Sequence, residues 1–347
     1  EIANCLVGSE MCIRDRGRNP RIIQSIVSSV EENGCKILGV EPDEDYNRTV
    51  ITYAGEPDQV ISSSVALVRA AKSLIDMRNH RGGHPRMGAV DVLPFIPLGN
   101  SREEDAISVA EVCFKELMGE VSMFRYGSYA SHPSRHRLPD LRRGGYEGLE
   151  KRFSGGEWKN EDTRMPDSWP GEWDEECDRF GAMAIGVRPI LIAYNVNIQE
   201  QEPLFSSTIS KTLRTSGFLI KSESGQRMRI RGMLDSVQGM GVKLETHGIS
   251  QVSMNLSNPD ETDIHVAYEA VRAVAQPMGV KVDGSEIVGL VPLQSMLKAG
   301  RWYCGGDGSD EYLVEQAILG LGLSTLEKFN PEARIIEWAL RDMRAGE

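Results

Sequence analysis

Apolar positions recur along this chain with two periods, and the switches between them predict an order of elements. From Pro20, the residues Ile22, Ile23, Ile26, Val27 and Val30 fall at helix spacing. Cys35–Val40 and Arg48–Tyr53 then read as strands, with the turn residues Pro42, Asp43 and Asn47 between them. Over Ser62–Met77, Val65, Leu67, Val68, Ala71, Leu74 and Ile75 recur at helix spacing again. A connection rich in Gly and Pro runs from there into an apolar strand, Val90–Ile96. A helix over Glu103–Leu117 and a short strand, Val121–Tyr126, close the series. Supplied with a first strand that the pattern ahead of Pro20 does not show, the opening reads β-α-β-β-α-β.

The second half repeats this grammar. Ile190–Ile198 is a strand, Pro203–Thr215 a helix, and Arg231–Val242 with Gly248–Leu256 a strand pair. Asp263–Met278 is a helix, Val280–Val291 a strand, and Leu293–Ala299 continues as a helix. The predicted class is α+β, two tandem α/β sandwiches of the split βαβ kind, which leave a groove between them. The boundaries are 17–189 and 190–340. Between the halves, Ser131–Arg179 is rich in Arg, Gly, Pro, acid and Trp and poor in aliphatics, and 161–179 reads as an inserted surface loop. Residues 1–16 fit neither a signal peptide nor an amphipathic helix, and CLVGSEMCIRDR resembles translated sequencing-adapter read-through. This segment is expected to be non-native or disordered.

A chain of 347 residues buries enough surface to fold without metal or disulfide staples. Its net charge of −12 argues against nucleic acid as a partner, because phosphate binding draws on Lys and Arg. The six cysteines are scattered without a metal-type spacing, which reads as free thiols in a reducing compartment. No apolar run is long enough to span a membrane. The default is a cytoplasmic protein acting on small molecules, with a homodimer as the ordinary oligomer.

The run His80–Leu98 concentrates the chemistry. Two histidines, two arginines and three glycines sit in a loop held between a helix and a strand, a common way to mount reactive groups. His80 and His84 are four residues apart, as in a helical zinc pair, but Gly82, Gly83 and Pro85 oppose a helix and no third ligand is evident, so no metal is expected. Arg86 reads equally as a carboxylate clamp or as a salt bridge to Asp91. Asn195 and Asn197 share one face of a strand, as do Gln251, Ser253 and Asn255 on another. Gly239 and Gly241 suit a bulge or tight turn.

These motifs resemble a known family. NHRGGHPRMGAVDVLPFIPL is similar to the signature HxGxHPRMGAxDVxPFIP of the glutamate formiminotransferases. Asn47–Val50, Gly186–Arg188, Leu191–Asn197, Val237–Gly241, Gln251–Leu256, Ile287–Leu293 and Arg334–Glu337 fall in the family's order, from about Gly17 to about Leu340. The resemblance implies two ferredoxin-like (βαββαβ) subdomains with the substrate passage between them. It implies transfer of the formimino group of N-formiminoglutamate to tetrahydrofolate as co-substrate. His84 would be the catalytic acid/base, and Glu41 takes the place of an acidic residue, usually Asp, near the loop. Asn47, Arg86, Gly181, Ala182, Arg188, Asn195, Asn197 and Gln251 would contact substrate or folate. In animals the transferase is fused to a cyclodeaminase, and since the chain ends soon after Ile336 that second activity is expected to be absent. The family's first strand and its turn are not recognisable, and Asp162–Phe180 replaces its folate-contacting stretch. The rival reading is a non-catalytic folate-binding or interaction paralogue of the same fold.

Overall fold

The computed structural model describes residues 6–14, 19–43, 47–80, 85–222 and 224–341. The chain divides into two compact units, Glu1–Arg188 and Pro189–Glu347.

The first unit runs β1 (Leu6–Arg14), α1 (Pro20–Glu31), β2 (Lys36–Asp43), β3 (Arg48–Gly55), α2 (Pro57–Leu74), β4 (Val90–Leu98), α3 (Glu103–Glu116) and β5 (Ser122–Gly127). Short helices α4 (Leu138–Leu141), α5 (Leu149–Phe153) and α6 (Glu175–Phe180) precede β6 (Ala182–Val187). Its six strands lie in the order β2-β3-β1-β4-β6-β5. The first four are antiparallel to their neighbours, while β6 runs parallel to both β4 and β5.

The helices begin where the local chemistry allows. Asn19 caps α1 by accepting from the Ile22 amide, and Pro20 occupies the first turn, where its missing N–H costs nothing. The helix predicted to begin at Ser62 starts five residues earlier, because Pro57 opens it and Gln59 accepts from the Glu56 amide. Ile26, Val30, Leu67, Val68, Ala71, Val109 and Cys113 then cover one side of the sheet, against Val7, Met11, Ile51, Tyr53, Leu93 and Phe95.

Two expectations are corrected here. Residues 1–16 are not disordered throughout: Leu6–Arg14 forms a strand between β3 and β4. Val7, Met11 and Ile13 alternate into the core. Ser9 takes the remaining inward position and breaks the apolar rhythm that would have revealed the strand. The stretch 161–179 is likewise no loose surface loop. The Met123 amide donates to Ser168 O and Met123 O accepts from the Asp167 amide, so this stretch adds to the sheet beside β5. Trp169 and Trp173 stand edge-on to Phe153, which packs with Phe124, Tyr126, Val92 and Ala184 in a second small core. Two guanidinium groups tie the backbone: Arg152 donates to Leu141 O, Thr163 O and Arg164 O, and Arg135 to Asp162 O and Met165 O. Both cations also lie over the Phe124 ring.

The second unit contains β7 (Ile192–Ile198), α7 (Leu204–Leu213), β8 (Phe218–Lys221), β9 (Arg227–Ile230), β10 (Val237–Leu244), β11 (Ile249–Leu256), α8 (Ile264–Ala275) and β12 (Val282–Val288). Helices α9 (Leu293–Cys304), α10 (Asp310–Leu321), α11 (Pro331–Arg334) and α12 (Ile336–Ala339) follow. Four antiparallel strands take the order β10-β11-β7-β12, the same arrangement as β2-β3-β1-β4 in the first unit. Tyr194, Val196, Val252 and Met254 meet Ile209, Leu213, Ala267 and Val271 in the core. Gly239 and Gly241 make room for α7 rather than forming a turn. A Cβ on Gly241 would lie 2.3 Å from Ser207 N, and one on Gly239 3.0 Å from Ser210 Oγ. The sequence pattern did not reveal the β8–β9 hairpin, which among the described residues forms a two-stranded sheet of its own.

Candidate functional site

His84 lies outside the described residues, but the chain is fixed on both sides of it. Upstream, Asp76 accepts from the Arg78 amide and caps the single turn Met77–Asn79. Arg78 holds the Asp76 carboxyl below its usual range through a hydrogen bond to the side chain. His80 is buried at the end of this turn.

Downstream, the loop enters β4 through several fixed contacts. The Met87 amide donates to Asp91 Oδ1 at 2.9 Å, and Arg142 Nη2 donates to Asp91 Oδ2 at 2.9 Å. Asp91 is fully buried, and both of its oxygens are engaged by these bonds. The Ala89 amide donates to Phe180 O at 2.7 Å, and the Ala182 amide to Met87 O at 3.0 Å. Between these bonds Gly88 and Gly181 face each other in a bridge. A Cβ on Gly88 would come 2.5 Å from Phe180 O, and one on Gly181 2.2 Å from Met87 O. Gly181 also has φ +79°, a conformation that favours glycine.

Arg86 pairs with Glu147 and lies 6.0 Å from the Tyr146 ring centroid. Asp91, the alternative partner expected from sequence, is engaged by Arg142. The Tyr146 hydroxyl donates to Asp178 O, and burial pushes that phenol up. Arg142, Tyr146, Glu147 and Asp178 all come from the stretch between β5 and β6. The loop is therefore braced by residues that precede the stretch read as an insert.

The other predicted residues fall in two groups. In the first unit Arg188 Nη2 donates to Glu10 Oε2 at 2.8 Å, beside the buried Tyr126, whose phenol burial pushes up to about 12. Glu10 opposes Thr52 on β3, and Glu41 opposes Val50, in register with Cys12. These positions alternate with the core residues Met11, Ile51 and Tyr53, so Glu10 and Glu41 occupy the sheet face away from the helices. Asn47 is buried at φ 47°, in the turn leading into β3. Ala182 is fully buried at the start of β6, and its methyl belongs to the small core. The sequence Ala182–Val187 reads poorly as a strand because it is buried on both faces and shows no alternation.

In the second unit Asn195, Asn197 and Gln251 come together. Gln251 Nε2 donates to Asn197 Oδ1 at 2.9 Å and to Glu286 Oε2 at 3.3 Å, while Asn195 Nδ2 reaches the same Glu286 oxygen at 3.4 Å. Asn197 Nδ2 donates to Asp283 O at 3.3 Å. Ser253 opposes Asn195 across the strands. This face is a sheet of amides and hydroxyls around one carboxylate, able to meet a ligand that presents both donors and acceptors.

Sequence reading missed Glu10, Arg142, Glu147 and Glu286. The register of β7 and β12, which sets Glu286 opposite Asn195, was the signal for the last. Among the described residues no three His, Cys, Asp or Glu side chains are placed to hold a metal ion. No helix among them is long and apolar enough to cross a membrane.

Comparison with known proteins accounts for both units. Residues 13–188 match the family model of the formiminotransferase domain's N-terminal subdomain, and 193–341 match that of the formiminotransferase domain. The rat formimidoyltransferase-cyclodeaminase is 35% identical over 333 residues, covering 94% of this chain. The chain spans 58% of that relative's length. Glutamate formimidoyltransferases of Thermoplasma acidophilum and Streptococcus pyogenes are 34% and 28% identical, over 86% and 88% of this chain and 91% and 96% of their own lengths. With both subdomain models matched in order, this chain belongs to the formiminotransferase family.

Proposed function

We propose that this protein transfers the formimino group of N-formiminoglutamate to N5 of tetrahydrofolate, giving 5-formiminotetrahydrofolate and glutamate. The observation that carries this reading is the signature loop, built into β4 and braced by Asp91–Arg142, Arg86–Glu147 and the Gly88–Gly181 bridge. A general acid/base works only when it is positioned, and these contacts fix the chain that follows His84.

The reaction forms a bond from folate N5 to the formimino carbon and breaks the bond from that carbon to the glutamate nitrogen. N5 must lose a proton as it attacks, and the glutamate nitrogen must gain one as the tetrahedral intermediate collapses. His84 takes the first proton and returns it to the leaving nitrogen, a task suited to a group that titrates near neutrality. Glu41 is the acidic partner for this transfer. Arg86 and Arg188 offer guanidinium forks to substrate carboxylates, each now engaged by a glutamate that a substrate carboxylate would displace. Asn47, Gly181, Asn195, Asn197 and Gln251 are the remaining proposed contacts, with Glu286 added to them.

The strand orders β2-β3-β1-β4 and β10-β11-β7-β12 support a ferredoxin-like reading of both units. A cytoplasmic location and a homodimer complete the proposal. Steady-state turnover with formiminoglutamate and tetrahydrofolate tests it. Saturable transfer is expected, and folate binding without transfer would favour the non-catalytic paralogue.

A further inference from the structure

The proposed reaction leaves the buried hydroxyl of Tyr126 without a task. Tyr126 lies on β5 opposite Gly186 of β6, and it packs with Phe124, Val92 and Ala184 on the sheet face away from the long helices. A Cβ on Gly186 would come 2.6 Å from Tyr126 Cδ1, so the glycine of Gly186–Arg188 makes room for the ring. Two residues on, the same motif supplies Arg188, whose charge acts on the phenol together with that of Arg142. Three residues thus provide space for a tyrosine and a guanidinium near its hydroxyl.

That hydroxyl is unsatisfied. Tyr126 is 3% exposed, and its Oη meets no partner at hydrogen-bond geometry among the described residues, Arg188 included. Burying a hydroxyl in this way costs stability, so the group points to a partner that arrives with a ligand. The surroundings decide what that partner is. Burial keeps the phenol protonated and able to donate, while two nearby cations favour an anion beside it. Arg142 Nε is a second buried donor that bonds nothing among the described residues. A carboxylate already sits at the neighbouring guanidinium, where Glu10 Oε2 accepts from Arg188 Nη2 at 2.8 Å.

We propose that Tyr126 and Arg188 form a carboxylate subsite, in which the phenol donates to one oxygen of a ligand carboxylate and the guanidinium pairs with the other once Glu10 gives way. Glutamyl compounds are the class it takes, since formiminoglutamate and the glutamate tail of tetrahydrofolate present the same group. The choice of these ligands rests on the proposed reaction, whereas the subsite stands or falls on binding alone.

Tyr126→Phe removes the hydroxyl and keeps the ring. Without ligand the variant is expected to melt at or above the parent's temperature, because no bond of the hydroxyl is lost. Titration calorimetry on both proteins then uses three probes: formiminoglutamate, tetrahydrofolate, and a tetrahydropterin without the glutamate tail. A hydrogen bond to a charged acceptor is worth about tenfold or more in affinity. At least one glutamyl ligand should therefore bind the variant at least about tenfold more weakly, while the tail-less pterin changes by less than about twofold. Loss with formiminoglutamate assigns the subsite to the donor, and loss with tetrahydrofolate assigns it to the folate tail. A lower melting temperature, unchanged affinity for both glutamyl ligands, or an equal loss with the tail-less pterin would each overturn the proposal. A parent that binds these ligands but transfers nothing would remove the reaction and leave the subsite standing. Normal transfer by Tyr126→Phe with unchanged KM values would remove the subsite alone.

Discussion

At the scale of single residues, the contact between Asp91 and Arg142 matters most. Removing the cation from a fully buried ion pair typically costs about 3–5 kcal/mol. Arg142→Met should therefore destabilise the protein by about 3 kcal/mol, and Asp91→Asn combined with it should recover part of that loss. Denaturant melts of the two single variants and the double variant measure the coupling, and a coupling near zero would show that the two side chains do not work as a pair. Turnover should fall in both single variants by more than KM changes, because the loop is misplaced while the proposed ligand contacts remain. The cysteines give a pH-dependent expectation. Burial pushes the Cys35 thiol up to about 11 and the Cys113 thiol further. Above the ordinary value near 9 the unfolded chain gives up these protons while the folded chain keeps them. Stability should then fall as pH rises from about 9 to about 11, by at most about 1.4 kcal/mol per unit for each thiol. A melting temperature that does not fall across that range would contradict this. Alkylation at pH 8 should mark Cys304, which is half-buried, well before Cys35 or Cys113.

At the scale of elements, close backbone approach explains what hydrophobic period could not. Gly88 sits against two carbonyl oxygens at the junction of the loop with β6, so Gly88→Ala must push apart the bridge that carries the signature. A loss of at least about 2 kcal/mol is expected, against less than about 0.5 for Gly306→Ala, where a Cβ meets nothing. Similar melting curves for the two would mean that the bridge is not a constraint. The long helices and the strands with one wet face were legible in the sequence because they alternate cleanly. Four strands were not. Leu6–Arg14 hides a serine among its inward positions, Ala182–Val187 is buried on both faces, and the β8–β9 hairpin belongs to no core. The His80–Leu98 signature was fully legible. Its supports, Arg142 and Glu147, come from a stretch whose composition looks like a loop, and only tertiary packing gives them meaning.

At the scale of the whole molecule, the stretch between β5 and β6 changes its role. Read from composition, its part 161–179 was an inserted surface loop. Its aromatic and guanidinium packing makes it a structural layer of the first unit. Deletion of residues 162–178 should therefore unfold that unit rather than leave a folded protein lacking one interaction. Circular dichroism and limited proteolysis of the deletion variant check this, and a folded, protease-resistant product would contradict it. The four-strand order recurs in both units, each with its main hydrophobic core between the sheet and its long helices.

The most direct measurement compares the rate of formimino transfer from formiminoglutamate to tetrahydrofolate in the parent protein and in His84→Ala. A positioned acid/base is worth about 100-fold or more, so the variant should retain no more than about 1% of the parental kcat while staying folded. Equal rates in the two proteins would remove His84 from the chemistry, and a folded parent that transfers nothing would remove the reaction itself.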